Sequence, residues 1–330
     1  MLINPRGDTL FFKRRMDGQD TLLVMQPEGR SSDAPMALAA TPEHLRAWAT
    51  TTGALAVAAP WPRDGQGLRF RMFRMDRVAA LLGRQTGDIN AALTDVPLLD
   101  GFKMESGALP EAVFTVLGGA SLHIPGLFPL PGSTDQAPAI YELDGRGATF
   151  RVIPLACLDR HALPSAAQLE PGTGRFWLTV GDSHHLYVLD GPEFALAGDV
   201  VWPAEHQGLA RLAFHPALPE AWIAVSSTLL VVNRNSLRVV DEIALEDELR
   251  WQRGQRVECS LGGVVFSGDG STAWVARPYS GDVLEIDTRT RKRRGRVAVA
   301  IDALDLLAAP GRIYMQGLRN GSVGWFAARI

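Results

Sequence analysis

The stretch GVVFSGDGSTAWVARPYSGDVLEID, from Gly263 to Asp287, holds the clearest structural pattern of the chain. Its first apolar run, Val264–Phe266, stops at Ser-Gly-Asp-Gly, where glycine and aspartate tolerate the positive φ angles of tight turns. A second run, Ala273–Ala276, ends before Pro-Tyr-Ser-Gly, and a third, Val283–Ile286, ends at an aspartate. β-Branched and aromatic residues fill the runs, which favours strands. With Gly295–Val299 as a fourth strand, the pattern predicts one four-stranded antiparallel sheet.

The same cycle of runs and turns recurs along the chain, most clearly over residues 165–330. An aromatic residue marks the same point of the second run in four repeats, namely Trp177, Trp222, Trp274 and Tyr314. A period of about 40–50 residues with four short strands per repeat is typical of a β-propeller. The repeats therefore predict an all-β, seven-bladed β-propeller of four-stranded antiparallel blades, with third strands that end near Met25, Met75, Leu143, Leu189, Val232, Ile286 and Phe326.

The whole chain, residues 1–330, is predicted to be a single propeller domain with an irregular insertion at about 80–135. Here we expect a short helix at Val78–Leu82 and a loop at the proline- and glycine-rich Pro125–Gly132. Thr41–Trp48 carries a helix start signal, because its threonine suits the N-cap and its proline the first helical position.

Closure of the ring is expected from the two ends of the chain. The last repeat supplies three strands, Leu304–Ala308, Arg312–Met315 and Val323–Ala327, and lacks a fourth. An open sheet edge recruits other strands, so we expect Leu2–Asn4 to pair there. The same residues are also needed as the inner strand of the first blade, which leaves the two assignments open.

The repeat at Phe266–Val275 and Val283–Asp287 resembles the YVTN/WD40-like propeller repeats. Such repeats occur in lactonases, in amine dehydrogenase large subunits and in many binding proteins. The resemblance lies at the level of the fold, and no catalytic motif of those families matches this chain. It therefore implies a propeller and no particular functional residue.

Composition and motifs exclude several classes of function. The net charge is −3 over 330 residues, which gives no electrostatic footprint for nucleic acid. No apolar run is long enough to span a membrane, and the N-terminus lacks the pattern of a signal peptide. We therefore expect a cytoplasmic protein, or a periplasmic or secreted one if a signal had been removed. The nucleotide, zincin and hydrolase motifs GxxxxGK[ST], GxGxxG, HExxH and GxSxG are absent from the sequence, and no cofactor is predicted.

In a propeller, the turns between second and third strands share one face with the links between blades. We call this the loop face. Here it collects histidine, arginine and aromatic residues, which suit a ligand or partner surface. The binding residues predicted on it are Asp182, His184, His185, His206, Arg250, Trp251, Arg253, Arg277, Tyr279 and Arg319. No catalytic residue is identified.

Three interpretations of the loop face differ in their chemistry. Imidazole and carboxylate groups suit divalent metals, but adjacent histidines usually point apart, so no metal is predicted and His184, His185 and His206 are the candidates if one binds. His206 with Glu205 has the composition of a general base. Trp251 beside arginines has the composition of an anchor for a partner.

Two other features are predicted to be structural. His215 precedes a proline in a turn on the opposite face. The basic run Arg289–Arg296 lies in a turn of that same face and is expected to be solvated.

The sequence favours a non-catalytic scaffold that binds a protein partner through the loop face. The first alternative is a small-molecule enzyme, lactonase- or hydrolase-like and with or without a metal, whose ligand occupies the central channel. The second is a cofactor-free relative of a dehydrogenase large subunit, disfavoured because no cofactor attachment motif occurs. Whether the protein is an enzyme stays open.

Overall fold

A computed structural model of the chain divides into two compact units, Met1–Leu169 and Glu170–Ile330. The residues that the structure describes are 1–3, 9–26, 35–41, 46–49, 54–60, 68–74, 78, 93–96, 121–130, 135–144, 150–160, 162, 164–181, 184–206, 210–245, 250–252, 255–257, 261–317 and 322–328. The prediction of a single domain is not tested by this division and stays a prediction.

The first unit is built from short strands. They are β1 (Leu2–Ile3), β2 (Leu10–Met16), β3 (Gln19–Met25), β4 (Met36–Thr41), β5 (Arg46–Ala49), β6 (Ala54–Pro60), β7 (Leu68–Arg74), β8 (Leu93–Val96), β9 (Ser121–Pro129), β10 (Gln136–Asp144), β11 (Phe150–Pro154) and β12 (Pro164–Leu169).

The second unit continues in the same way. Its strands are β13 (Phe176–Val180), β14 (His185–Asp190), β15 (Ala195–Val201), β16 (Arg211–Phe214), β17 (Glu220–Val225), β18 (Thr228–Asn233), β19 (Arg238–Ala244), β20 (Arg250–Gln252), β21 (Gln255–Val257), β22 (Val264–Phe266), β23 (Thr272–Arg277), β24 (Asp282–Asp287), β25 (Lys292–Ala298), β26 (Ala303–Ala309), β27 (Arg312–Gly317) and β28 (Val323–Ala327).

Antiparallel sheets of consecutive strands make up the fold. In the described residues, five have four strands, β1-β2-β3-β4, β5-β6-β7-β8, β12-β13-β14-β15, β16-β17-β18-β19 and β22-β23-β24-β25. Two have three strands, β11-β10-β9 and β26-β27-β28, and β20-β21 is a hairpin. The prediction of an all-β chain with repeated four-stranded antiparallel sheets is confirmed. The strand boundaries predicted between Val264 and Ala327 agree with the observed ones to within three residues.

Pairing at the N-terminus corrects the expected closure of the ring. Leu2 pairs with Phe11 and Ile3 with Leu10, so β1 is the first strand of its own sheet. The prediction that Leu2–Asn4 complete the last sheet is therefore wrong for the two residues described. Of the two assignments that the sequence left open, the local one forms, because a short connection brings β1 beside β2.

Two further predictions for the first unit are wrong. Thr41 ends β4, where it pairs with Asp20 of β3, and Trp48 of β5 pairs with Ala56 of β6. At these positions strand pairing overrides the helix start signal of Thr41–Trp48. Residues Pro125 to Pro129 of the expected loop lie in β9. This strand is at the edge of its sheet, where a missing proline N–H is tolerated. Of the predicted helix Val78–Leu82, only Val78 is described.

The repeats of the second unit share a turn after their third strand. Phe194, Leu237 and Arg291 each have a positive φ, between 52° and 57°, at the fourth residue after the aspartate or asparagine that ends the strand. The register then shifts at the same point of each sheet, after Val188, Val231 and Glu285. A common turn and a common irregularity show that these sheets are copies of one structural unit.

Successive sheets of the second unit pack face to face. One core cluster joins Trp177 and Val188 to Ile223 and Val232 of the next sheet. Another joins Trp222 to Val275 of the sheet after that. Because successive residues of a strand point to opposite faces, a sheet covered on both sides needs apolar residues throughout its middle strands. This explains why all residues of β13 and β23 are buried.

Buried polar side chains close the turns between the first and second strands. Glu170, His215 and Ser267 occupy equivalent places, and their backbone N–H groups bond to the carbonyls of Arg175, Glu220 and Thr272. Burial alone would raise the pKa of the Glu170 carboxyl, but hydrogen bonds from Arg175 and the Trp177 indole outweigh it and hold that pKa below its ordinary value.

His215 caps its turn with the imidazole ring. Its Nδ1 atom accepts the backbone N–H groups of Ala217 and Leu218 at 3.1 and 2.9 Å, so the neutral ring carries its proton on Nε2. The ring packs on Phe266 and beside Gly270, whose φ is +73°. Burial lowers the pKa of His215. The prediction that this histidine is structural agrees with these contacts.

The cap on this turn predicts a loss of stability in mild acid. Since the folded-state pKa of His215 is depressed, the unfolded chain takes up a proton as the pH falls below about 6.5, while the folded chain does not. We expect the free energy of unfolding, measured in urea from pH 7.5 to 5, to fall more steeply for the wild type than for His215→Asn, which retains an acceptor but no titrating group. Parallel curves for the two proteins would contradict this assignment.

Candidate functional site

The loop face of the second unit is assembled by backbone hydrogen bonds that recur from sheet to sheet. Where each fourth strand ends, the chain bonds to the turn between the second and third strands of the same sheet. These bonds run from Trp202 N to His184 O, from Leu245 N to Ser227 O and from Val299 N to Gly281 O, at 3.2, 3.0 and 3.0 Å. Turns and links therefore meet at one end of each sheet, as the loop face requires.

The longest link of this unit, residues 246–260, begins and ends beside the same turn, at Ser226 and Ser227. Leu245 before it bonds to Ser227, and Leu261 after it donates its N–H to Ser226 O at 2.7 Å. Between these fixed ends the hairpin β20-β21 forms, with Arg250 opposite Val257, Trp251 opposite Arg256 and Gln252 opposite Gln255. Strands β20 and β21 pair with no other strand in the described residues. The link is thus a β-hairpin inserted into the loop face, and Arg250 and Trp251 of the predicted site lie on it.

His184 and His185 lie together at the start of β14. Their ring centroids are 4.5 Å apart, and the His185 ring stacks on Tyr187 with an interplanar angle of 17°. The Nδ1 atom of His185 is 3.6 Å from Asp199 Oδ2 on the neighbouring strand β15. Both rings are half-buried, so the pair forms a compact aromatic and polar patch that ligands can reach.

His206 lies in the link that follows β15. Its Nε2 atom is 2.8 Å from Glu242 Oε1 on β19, and its carbonyl accepts the indole N–H of Trp202. Glu205, the neighbour considered as a partner, is exposed. The contact with Glu242 fixes the imidazole between a link and the outer strand of the next sheet, so His206 has a positional role besides any binding role.

Arg277 is placed differently from a surface binding residue. Its guanidinium is 5% exposed and bonds to both carboxylate oxygens of the fully buried Asp282, at 2.7 and 2.6 Å. Arg296 on β25 contacts the same carboxylate from the outside. Arg277 and Asp282 are directly opposite on β23 and β24. This bidentate pair holds the turn that carries the half-buried Tyr279.

Three of the predicted binding residues, Asp182, Arg253 and Arg319, lie outside the described residues. Within the residues that the structure describes, no group of three or more histidine, cysteine, aspartate or glutamate side chains could hold a metal ion. The structure thus brings His184 and His185 together, places Arg250 and Trp251 on one hairpin, and leaves the predicted binding role of the whole set untested.

Sequence analysis missed the acidic partners of this face. Asp199, Glu242 and Asp282 lie on third or fourth strands and meet the predicted residues through sheet pairing, which local sequence does not show. The only available signal was their position near a strand end. Arg256, which lies opposite Trp251, was also missed, and the pair of residues that follows Gln252 in the sequence, Arg253-Gly254, was the one signal for a hairpin here.

The basic run of the opposite face, Arg289–Arg296, forms ion pairs where a solvated turn was expected. Arg291 Nη1 is 2.7 Å from Asp241 Oδ2, and its Nη2 is 2.9 Å from Glu220 Oε1, both on the preceding sheet. Arg294 contacts Asp287. Arg289 is exposed, as the prediction of a solvated turn requires. Part of this run therefore joins two sheets.

Another ion pair joins first strands of different sheets. Arg211 Nη1 on β16 is 2.8 Å from Asp305 Oδ1 on β26. β22 contacts both of these strands, so the side chains meet across it. Both are partly exposed, at 27% and 40% of their side-chain area, which leaves a polar pair open to solvent along the first strands.

Comparisons with solved structures define the class of fold. The chain is similar to Sqt1 from Saccharomyces cerevisiae, with a TM-score of 0.59 and 11% identity over 99% of this chain and 95% of that one. It is similar to BamB from Moraxella catarrhalis, with a TM-score of 0.55 and 14% identity over 99% and 83%. It is also similar to AztD from Citrobacter koseri, with a TM-score of 0.55 and 11% identity over 91% and 86%.

These neighbours are β-propeller, WD40-like structures, so the predicted propeller-type fold is supported. At such identities the likeness shows the fold alone. No family model and no curated protein matches the sequence. Across the described part of the chain, no helix has the length and apolar character needed to span a membrane. The cytoplasmic location stays a prediction.

The buried pair beneath the loop face predicts unequal effects of two arginine substitutions. Arg277→Ala leaves Asp282 buried without its bidentate partner, and we expect it to lower the free energy of unfolding by about 3 kcal/mol. Arg296→Ala removes a half-exposed contact to the same carboxylate and should lower it by less than about 1 kcal/mol. Urea unfolding of both variants measures this difference. Equal effects would contradict the assignment of Arg277 as the main stabilising partner of Asp282.

Proposed function

We propose that the protein is a non-catalytic scaffold that binds a protein partner through its loop face. In this proposal, residues 1–330 form one domain whose sheets are the blades of a closed seven-bladed β-propeller. A rigid array of sheets suits this role, because loops can vary without unfolding the core.

The observation that carries the proposal is the inserted hairpin. The residues at the two ends of the link 246–260 are bonded to the adjacent residues Ser226 and Ser227. The link is therefore longer than the connection between its ends requires. A two-stranded hairpin is marginally stable by itself in water. A hairpin kept at the end of a sheet, with both of its edges unpaired in the described residues, is therefore suited to be ordered by contact with a partner.

The composition of the hairpin supports a protein partner. Trp251 lies opposite Arg256, and two more arginines, Arg250 and Arg253, lie within the same eight residues, which contain no acidic residue. Tryptophan and arginine dominate the energetics of protein interfaces. The partner surface that fits this hairpin is acidic, with an apolar recess for an indole.

His184, His185 and Tyr187 extend the proposed surface along β14. Aromatic rings of this kind add contact area at a low cost in conformational entropy. Their half-buried positions hold the rings in place before a partner arrives, which lowers the entropy lost on binding.

A second proposal is a small-molecule site at the first strands. Arg211 and Asp305 form a partly exposed pair between strands that would line the central channel of the proposed ring. Such a pair offers a donor and an acceptor to a polar ligand. This observation favours the alternative of a small-molecule enzyme over that of a dehydrogenase-like protein, which no contact among the described residues supports.

The partner proposal predicts that binding depends on the hairpin. The full chain, immobilised and exposed to an extract of its source organism, should retain one protein in a stoichiometric amount. The Trp251→Ala variant should bind this protein about 30-fold or more weakly, as expected for an interface hot spot of about 2 kcal/mol. Quantitative mass spectrometry of the retained proteins is the measurement.

Arg289→Ala, an exposed substitution on the opposite face, is the matched control and should retain the partner. If Trp251→Ala and Arg289→Ala retain the same proteins in the same amounts, the hairpin is not the binding element. Turnover of a lactone by the wild type that disappears in Asp305→Ala would favour the small-molecule proposal instead.

A further inference from the structure

The last sheet of the chain ends in an open edge. Its order is β26-β27-β28, so β28 pairs with β27 on one side and with no strand on the other in the described residues. The sheets β12–β15, β16–β19 and β22–β25 each place a fourth strand at this position. At the edge of β28 the last sheet therefore differs from these three sheets of the chain in its described residues.

The register shows what covers the corresponding edge elsewhere. Trp325 lies opposite Tyr314, as Val188, Val231 and Glu285 lie opposite their tryptophans. On their other side, these three residues face a small or acidic residue of the fourth strand, which is Gly198, Asp241 and Gly295 in turn. The repeat thus specifies the residue expected opposite Trp325.

Trp325 itself is open to solvent. Its exposed fraction is 53%, against 0% for the equivalent Val188 and Val231. The guanidinium of Arg312 lies over the indole, 4.5 Å from its centroid. A broad aromatic ring beside an open edge is suited to cover a glycine on the next strand, since cross-strand aromatic residues shield glycines in sheets.

The edge also lacks the charges that the fourth strands β19 and β25 carry. β28 reads Val-Gly-Trp-Phe-Ala and carries no charge. The fourth strands β19 and β25 carry Arg238, Asp241 and Glu242 in one case and four basic residues in the other. Charged side chains on an edge strand discourage pairing with another chain. β28 has no such protection, which permits pairing.

We propose that β28 accepts an extended segment of a partner polypeptide as the missing fourth strand, by antiparallel β-augmentation. Backbone hydrogen bonds supply the affinity and the side chains set the specificity. The partner segment carries a glycine or an aspartate opposite Trp325, where Arg312 favours the acidic residue. This site is separate from the loop face and does not depend on the proposed function of that face.

Two other occupants fit less well. β1 already pairs with β2. A second copy would pair β28 with β28 about a two-fold axis, which places a residue opposite its own copy. Trp325 would then face Trp325, Val323 or Ala327 and never Gly324, because a register of neighbouring residues is incompatible with that axis. Neither occupant supplies a glycine or an acidic residue opposite the indole.

The test uses a fluorescein-labelled peptide with the sequence of Ala195–Val201, which presents Gly198 to the equivalent edge within this chain. Fluorescence anisotropy with the full-length protein should show saturable binding below about 1 mM. Trp325→Ala, a substitution at an exposed position, should weaken binding by about tenfold. Hydrogen exchange at residues 323–327 should slow on binding.

Two peptides with N-methyl groups at alternate residues form the matched control. One methylates positions 198 and 200, and the other methylates 199 and 201, all of which lie on one side of the register shift at Val188 and Leu189. Only one set of N–H groups faces β28 in a paired strand, so one peptide should bind like the parent and the other at least about tenfold more weakly.

Equal binding of the two methylated peptides, or no saturable binding of the parent peptide, would overturn the proposal. A concentration-dependent dimer that the peptide dissociates would identify a second copy as the occupant and would overturn the partner assignment. A protein that binds the peptide only after Met1–Ile3 are removed would identify the chain's own first strand as the occupant of the edge and would likewise overturn the proposal.

Discussion

The second unit of this protein depends on one kind of contact, the packing of each sheet against the next through an aromatic residue of its second strand. Trp177 meets Phe214 and Trp222 meets Phe266 edge to face, at centroid distances of 5.5 and 5.3 Å. In each pair the phenylalanine belongs to the first strand of the following sheet. Because the sheet β16–β19 supplies Trp222 to one neighbour and its first strand to the other, the same contact fixes the spacing and the direction of the repeat there.

That constraint explains what the sequence could predict. A sheet buried on both faces has apolar runs with no polar alternation, and Ala221–Val225 or Ala273–Ala276 are of this kind. Turn residues such as Ser267-Gly-Asp-Gly270 mark where the runs stop. The repeated strands of residues 165–330 were therefore predictable, as were the ends of the third strands from Met25 to Phe326, whereas the hairpin β20-β21 was not predicted. Residues 41, 46–48 and 125–129 were not, because pairing with β3, β6 and β10 decided their conformation against the local signals.

The candidate site was predictable only as a set of loops. The sequence placed histidines and arginines at one end of the sheets, and the backbone bonds of Trp202, Leu245 and Val299 agree with that placement. It could not separate residues that face outward from residues that support the fold, because this depends on partners far away in sequence. Arg277 resembles Arg250 in the sequence, yet it lies buried against Asp282. An ion pair across a hairpin leaves no trace in composition.

In the proposed function, a stiff stack of sheets presents a hairpin that is held only at its two ends. Hydrogen exchange of the full chain, resolved by peptide and followed by mass spectrometry, tests this most directly, because exchange rates report local opening free energies. We expect the slowest exchange in β17, β18, β23 and β24, and exchange faster by orders of magnitude in residues 250–257. Exchange of the hairpin as slow as that of the middle strands would show that it is part of the core, and would contradict its role as a presented binding element.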